Sequence, residues 1–258
     1  MKTLTSILAS CILIVLMALP LCKVFSQNAD QLAFQASKDY NNKKYPEAIA
    51  KYEKIIALGL ESDALYYNLG DAYYRTNELA PAILYYEKAL KISPNNEDIK
   101  HNIEIVKSKL TDKVEQIPEL FYKHWWRQLI NVVDIESYAI FSLILLSVSL
   151  LFIAIYIASR NLTFRKIAFW LGSTFAILFI LCFLAVSQQY HYYTNQHEAI
   201  IFSPTVNIKS SPDENSKDIF VLHEGTNVYL MEIIGQWQEI RISNGSEGWL
   251  KASDFKKI

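Results

Sequence analysis

A chain of 258 residues with a formal net charge of −1 has room for one large domain or two to three small ones. It offers no stripe of Lys and Arg to meet a nucleic-acid backbone. Its 52% hydrophobic content is at the top of the soluble range and is unevenly distributed, with two long uncharged runs holding much of it. The three cysteines, Cys11, Cys22 and Cys182, fall in apolar segments, which excludes a disulfide framework, a thiol nucleophile and a cysteine metal site in the remaining chain.

Residues 1–26 read as an export signal. Lys2 precedes an apolar stretch from Leu4 to Leu21, and Val24-Phe25-Ser26 suits a peptidase cut after Ser26. An uncleaved anchor is the alternative. Either one delivers the following segment to the outer side of the membrane.

Residues 27–112 carry a helical repeat. With Asp63 as the first position of a 34-residue unit, Tyr66, Leu69, Gly70, Tyr73, Ala82, Tyr86, Ala89 and Pro94 fall at the spaced positions of the tetratricopeptide (TPR) pattern, which this segment resembles. Small residues belong where two antiparallel helices cross, so Gly70 is expected to face Ala82, and Ala89 to sit against the next repeat. A shift of 34 residues gives a more degenerate repeat, with Ala36, Tyr40, Tyr45, Ala48 and Tyr52 in register. Pro46 and Pro81 open second helices, where a missing N–H costs little. Ile99, Ile103, Val106 and Leu110 predict an amphipathic capping helix over Glu97–Leu110.

The TPR resemblance implies an all-α solenoid with a concave groove for a partner protein. Its register places Tyr40, Tyr67, Asp71 and Tyr74 in that groove, Arg75 at the rim and His101 on the cap. Some of these tyrosines could instead be core. The clamp that related arrays use for C-terminal carboxylates needs Lys and Asn in the groove. Here Ala33, Ser37, Tyr67 and Asp71 occupy those places, which argues against that ligand class.

Residues 113–135 form an aromatic and basic segment. Phe121, Tyr122, Trp125 and Trp126 accompany Lys123, His124 and Arg127, as in an interfacial belt at headgroup depth. Residues 136–159 and 167–188 are each long enough to span about 30 Å of hydrocarbon. They are predicted transmembrane helices, joined by a cytoplasmic loop at 160–166. Arg160, Arg165 and Lys166 set that orientation against a linker, 189–198, without Lys or Arg. The uncharged spans weaken a transporter reading and favour anchors. Gly172 and Ala176 form a small-xxx-small pair that could seat a partner helix.

Residues 199–258 change period. Short β-rich runs cover Ala199–Phe202, Val206–Ile208, Ile219–Leu222, Val228–Ile233, Trp237–Ile242 and Trp249–Leu250. Asn244-Gly245 predicts a hairpin turn with positive φ at both central positions. Val206, Ile208, Pro212, Gly225, Val228, Gly235, Trp237, Ile240 and Gly248-Trp249 resemble a bacterial SH3-type domain. That resemblance implies an all-β barrel of five or six strands, in which Trp237 and Trp249 could form a face for a cell-wall or peptide ligand, or could be core.

No catalytic set, phosphate loop, cofactor motif or metal-ligand spacing emerges, and the five histidines are dispersed, so no enzyme is expected. The whole order is signal, TPR array, aromatic segment, two spans and SH3-like domain. It resembles the BatE group of the Bat (Bacteroides aerotolerance) family. This resemblance implies a multi-pass inner-membrane protein with both soluble domains in the periplasm, working with other Bat membrane proteins in aerotolerance or envelope stress. The expected function is a scaffold whose TPR groove binds a protein. The alternative is an envelope sensor or cell-wall binder led by the SH3-like domain.

Overall fold

A computed structural model describes residues 29–113, 121–130, 133, 135–195 and 197–258. The export signal with Cys11 and Cys22, and Glu119 in the aromatic segment, lie outside them, as do the side chains of Lys123, His124 and Arg127.

Among the described residues five helices come first: α1 (29–41), α2 (Tyr45–Ala57), α3 (Asp63–Arg75), α4 (Leu79–Ile92) and α5 (Glu97–Lys109). Their backbone repeats as the sequence does. The starts of α2 and α4, the starts of α3 and α5, and the positive-φ residues Lys43 and Asn77 are each 34 positions apart. Polar caps fix the entries of α3 and α5. Ser62 Oγ accepts the Leu65 N–H at 3.1 Å, and Asn96 Oδ1 accepts those of Asp98 and Ile99. Pro46 and Pro81 sit in first turns, where no helical hydrogen bond is lost.

Two apolar clusters run through the array, one joining α1, α2 and α3 around Leu69 and Tyr52, the other joining α3, α4 and α5 around Tyr86, Ile83 and Ile99. At Gly70 the nearest neighbour is Tyr86, not the expected Ala82. A Cβ on Gly70 would lie 2.8 Å from Tyr86 Cδ1 and 2.9 Å from Cε1, so the glycine makes room for an aromatic ring one turn beyond the alanine.

The aromatic segment folds as α6 (Phe121–Ile130), and two apolar helices follow, α7 (Ile135–Ala158) and α8 (Leu162–Asn195). Their apolar stretches, Ser137–Ala158 and Leu162–Tyr190, are long enough to cross a membrane and remain mostly uncovered. Gly172 serves contact within the chain: its carbonyl accepts Ser149 Oγ at 3.1 Å, and Phe152 packs over it beside Phe175. The connection is shorter than expected. Asn161 Oδ1 accepts the Thr163 N–H and α8 starts at once, so Arg165 and Lys166 ride in its first turns instead of a loop. At its far end α8 absorbs most of the expected linker.

Seven strands complete the chain: β1 (Glu198–Ile201), β2 (Thr205–Lys209), β3 (Asp218–His223), β4 (Asn227–Ile234), β5 (Trp237–Arg241), β6 (Glu247–Lys251) and β7 (Phe255–Lys257). They form one antiparallel sheet in the order β3-β2-β6-β5-β4-β1-β7. Its core is Ala199, Ile201, Ile208, Val228, Ile240 and Leu250. The expectation of five or six strands missed β7, which at three residues is too short to show a period and is held by pairing to β1. The Asn244-Gly245 turn also differs. Only Gly245 has positive φ, and its N–H donates to the Ile242 carbonyl while the Ile242 N–H donates to that of Ser246. This is a three-residue loop ending in a glycine bulge.

The sheet docks on the helical array. Ala199 and Ile201 point into the sheet core while Ile200, on the opposite face, enters the α4 cluster. Strand alternation with both faces covered explains three consecutive buried apolar residues. Leu110 packs on Gly225, where a Cβ would lie 2.4 Å from Leu110 Cδ2 and φ is +86°, so glycine is required twice over. Beside it Asp112 accepts from the His223 N–H at 2.7 Å and from Thr226 Oγ1 at 2.8 Å, and pairs with His223 Nδ1 at 2.7 Å. Burial alone would raise the Asp112 pKa. The His223 and Thr226 donors outweigh it and hold this carboxyl below the usual range.

Candidate partner-binding groove

The first helices of the repeats, α1 and α3, together with α5, bring Tyr40, Tyr67, Asp71 and Arg75 together through polar contacts, with Tyr74 under Lys109 and His101 exposed on α5. Tyr40 on α1 accepts from Arg75 Nε on α3 at 3.3 Å. Tyr67 and Asp71, one turn apart on α3, both meet Asn102 on α5: its Nδ2 lies 2.9 Å from Tyr67 Oη and 3.3 Å from Asp71 Oδ1. Tyr86 on α4 donates its hydroxyl to Asp71 from below. Tyr74 lies under the Lys109 ammonium, 4.4 Å from its ring centre.

Exposure divides these residues. Arg75 and His101 are exposed, whereas Tyr40, Tyr67, Asp71 and Tyr74 are half-buried. Tyr67 is the most committed to packing, with its ring 5.8 Å from that of Tyr86. Arg75 presents its guanidinium outward, and Tyr74 is half-buried under Lys109. Burial raises the Asp71 pKa against the opposing pull of Tyr86 and Arg75. Burial and the adjacent Asp71 charge raise that of Tyr67, and Tyr86 is driven far up by burial and by donating to Asp71. Asp71 is therefore the electrostatic centre of the floor, a carboxyl whose ionisation the surroundings only partly support.

This geometry is that of a repeat array. The tetratricopeptide repeat family matches residues 35–97. The chain carries TPR repeats. No curated protein matches it. TPR repeats are in general non-catalytic surfaces for protein partners. The matched span contains Tyr40, Tyr67, Asp71, Tyr74 and Arg75, with His101, Asn102 and Lys109 beyond it on α5.

Asn102, Lys109 and Tyr86 escaped the sequence reading of the groove. The 34-residue shift that produced His101 from Tyr67 also produces Lys109 from Arg75, so that signal was available. Tyr86 carried no such sign, because its ring is core and only its hydroxyl reaches the floor.

The two tryptophans sit elsewhere. Trp237 pairs with Lys251 and Trp249 with Glu239, which places both rings on the same side of β5 and β6, away from Ile240 and Leu250. They do not form an open aromatic face, since Trp237 is 8% and Trp249 9% exposed. Trp237 borders a hollow of about 280 Å³ with Thr205, Asn207, Lys209, Glu214 and Lys251. Lys251 lies over the Trp237 ring and pairs with Glu214 at 2.5 Å.

Proposed function

We propose that the chain is a non-enzymatic, membrane-anchored scaffold whose TPR groove holds a partner protein on the periplasmic side of the inner membrane. One observation carries this reading. The sheet packs on α4 and on the segment after α5, so it leaves the surface of Tyr40, Tyr74, Arg75 and His101 uncovered. Tyrosine and arginine on one open surface suit a binding hot spot: tyrosine buries large area with few torsions to freeze, arginine offers a planar fork of donors, and both can meet a partner's backbone. Asp71, Arg75 and Lys109 favour a partner segment of mixed charge.

Two spans return the chain to the side it left, which agrees with the sheet resting on the array. α7 and α8 are the anchors, and export of residues 27–112 sets the side. The resemblance in element order supports a place beside other Bat membrane proteins in aerotolerance or envelope stress, and the terminal sheet resembles an SH3-type domain. The second reading, a sensor or cell-wall binder led by that sheet, is favoured only by the hollow beside Trp237.

The test is recovery of partners from intact membranes. Tyr74→Ala with Arg75→Ala should lower it by more than tenfold, since hot-spot truncations cost about 2 kcal/mol or more each. Unchanged recovery, with loss on Asn207→Ala and Lys251→Ala instead, selects the second reading.

A further inference from the structure

The sheet enters directly from α8, and one hairpin runs back toward that entry. Only residues 196 and 197 separate α8 from β1. β1 is antiparallel to β4, with Glu198 opposite Tyr229 and Ala199 opposite Val228, and the Leu230 N–H donates to the His197 carbonyl at 2.6 Å. β4 does not stop there. It continues through Met231 to Ile234, turns at Gly235 and Gln236, and returns as β5 with Ile234 opposite Trp237. Because the two strands are antiparallel, this continuation passes the start of β1 on the side from which α8 arrives. A one-residue bulge between Leu230 and Ile233 bends the strand, so at about 3.3 Å per residue the four residues project by at most about 13 Å.

The projecting tip is apolar where water would favour polar residues. Met231, Ile233 and Ile234 are 45%, 62% and 46% exposed. Gly235 turns with φ +62°, and among the described residues nothing lies within 4 Å of where its Cβ would be. No Lys or Arg occurs between Tyr229 and Ile240. The same end of α8 carries a second amphipathic element: Trp126 on α6 donates to Gln188 at 3.0 Å, and Phe121, Tyr122 and Trp125 of that helix are exposed.

We propose that the β4–β5 tip, Met231 to Gln236, is a membrane-interface anchor that seats in the leaflet from which α8 emerges. This rests on the reading of α7 and α8 as spans. The occupant is lipid because the tip extends past the end of β1 that α8 leads into, and α6 places aromatic rings at that end of α8. With Glu232 as the only charged residue of the tip, the driving force is transfer of apolar area, worth about 25 cal/mol per Å², and attraction to anionic lipid is not needed. The anchor fixes the sheet's tilt, and through Leu110 and Asp112 that of the docked array, so the groove stands at a set height above the bilayer.

The test uses the full chain in vesicles of zwitterionic phosphatidylcholine, with native cysteines replaced by serine. An environment-sensitive fluorophore is attached at Ile233→Cys, at Ser246→Cys on the opposite end of β5, or at Ile177→Cys within α8. Expected are blue-shifted emission at 233 and quenching by lipid-borne nitroxide several-fold greater there than at 246, unchanged by salt. Equal quenching at 233 and 246, with 177 quenched, overturns the anchor and leaves the spans standing. No quenching at 177 overturns both. A blue shift at 233 that lipid nitroxide does not quench, and that vanishes at one chain per vesicle, assigns the tip to a second copy and also overturns the proposal.

Discussion

Gly70→Ala is the sharpest probe of the array, because two general effects oppose each other at this position. In a helix interior, replacing glycine by alanine stabilises by about 1 kcal/mol through backbone entropy. Here the new Cβ would meet Tyr86 Cδ1 at 2.8 Å and Cε1 at 2.9 Å, where carbon atoms prefer about 3.5–4.0 Å. The ring cannot swing freely. It is 1% exposed, packs against Tyr67, and its hydroxyl is held by Asp71. Overpacking of this kind costs about 1–3 kcal/mol, and a strained Tyr86–Asp71 bond adds to it. The net expectation is a loss of about 1–2 kcal/mol confined to α3, α4 and α5. Native-state amide exchange on the full chain in detergent resolves it, since opening free energies are read helix by helix. Adding Tyr86→Leu should recover part of the loss, a coupling that independent sites do not show. If Gly70→Ala instead raises protection in α3 by about 1 kcal/mol, propensity wins and the close crossing is refuted.

Asp112→Ala should undock the sheet without unfolding either part, read as broadening of the spin-label distance between Lys54→Cys and Lys217→Cys. The Asp112 pKa is depressed in the folded chain, so its contribution is present above the ordinary carboxylate value of 3.8 and is lost as pH falls through the lower folded value; docking should persist from pH 7 to 4 and fail only in stronger acid. Asp71 has the opposite sign: its raised pKa means stability is fully present below 3.8 and is lost as pH rises through the folded value, so Asp71→Asn should raise the melting temperature at pH 7 and flatten that dependence. For topology, Lys54→Cys and Lys217→Cys should react with an impermeant thiol reagent in intact cells while Arg160→Cys is protected; protection of either of the first two rejects the proposed orientation.

The repeat was legible because TPR packing writes itself at long, fixed spacing: Leu69, Gly70, Ala82 and Ala89 are small or apolar for reasons that recur 34 residues apart. What Gly70 touches was not legible, since a repeat pattern names which positions are small without saying which neighbour fills the space. The same limit applied to the groove. Register gave Tyr67 and Tyr74 equal standing, yet Tyr67 leans on Tyr86 while Tyr74 lies under Lys109 at the surface. The docking of sheet on array left only a faint sign in the run Ala199-Ile200-Ile201. Asp112 and His223 are 111 positions apart, and no local period links them.

The central claim is that the partner sits in the TPR groove. The direct measurement is site-specific photo-crosslinking in intact membranes, with a photoreactive residue at His101 in one variant and at Asn207, beside the Trp237 hollow, in another. The account predicts a discrete protein adduct from position 101, lost when Tyr74→Ala and Arg75→Ala are added, and none of comparable yield from position 207. An adduct from 207 alone, indifferent to those two substitutions, would contradict it.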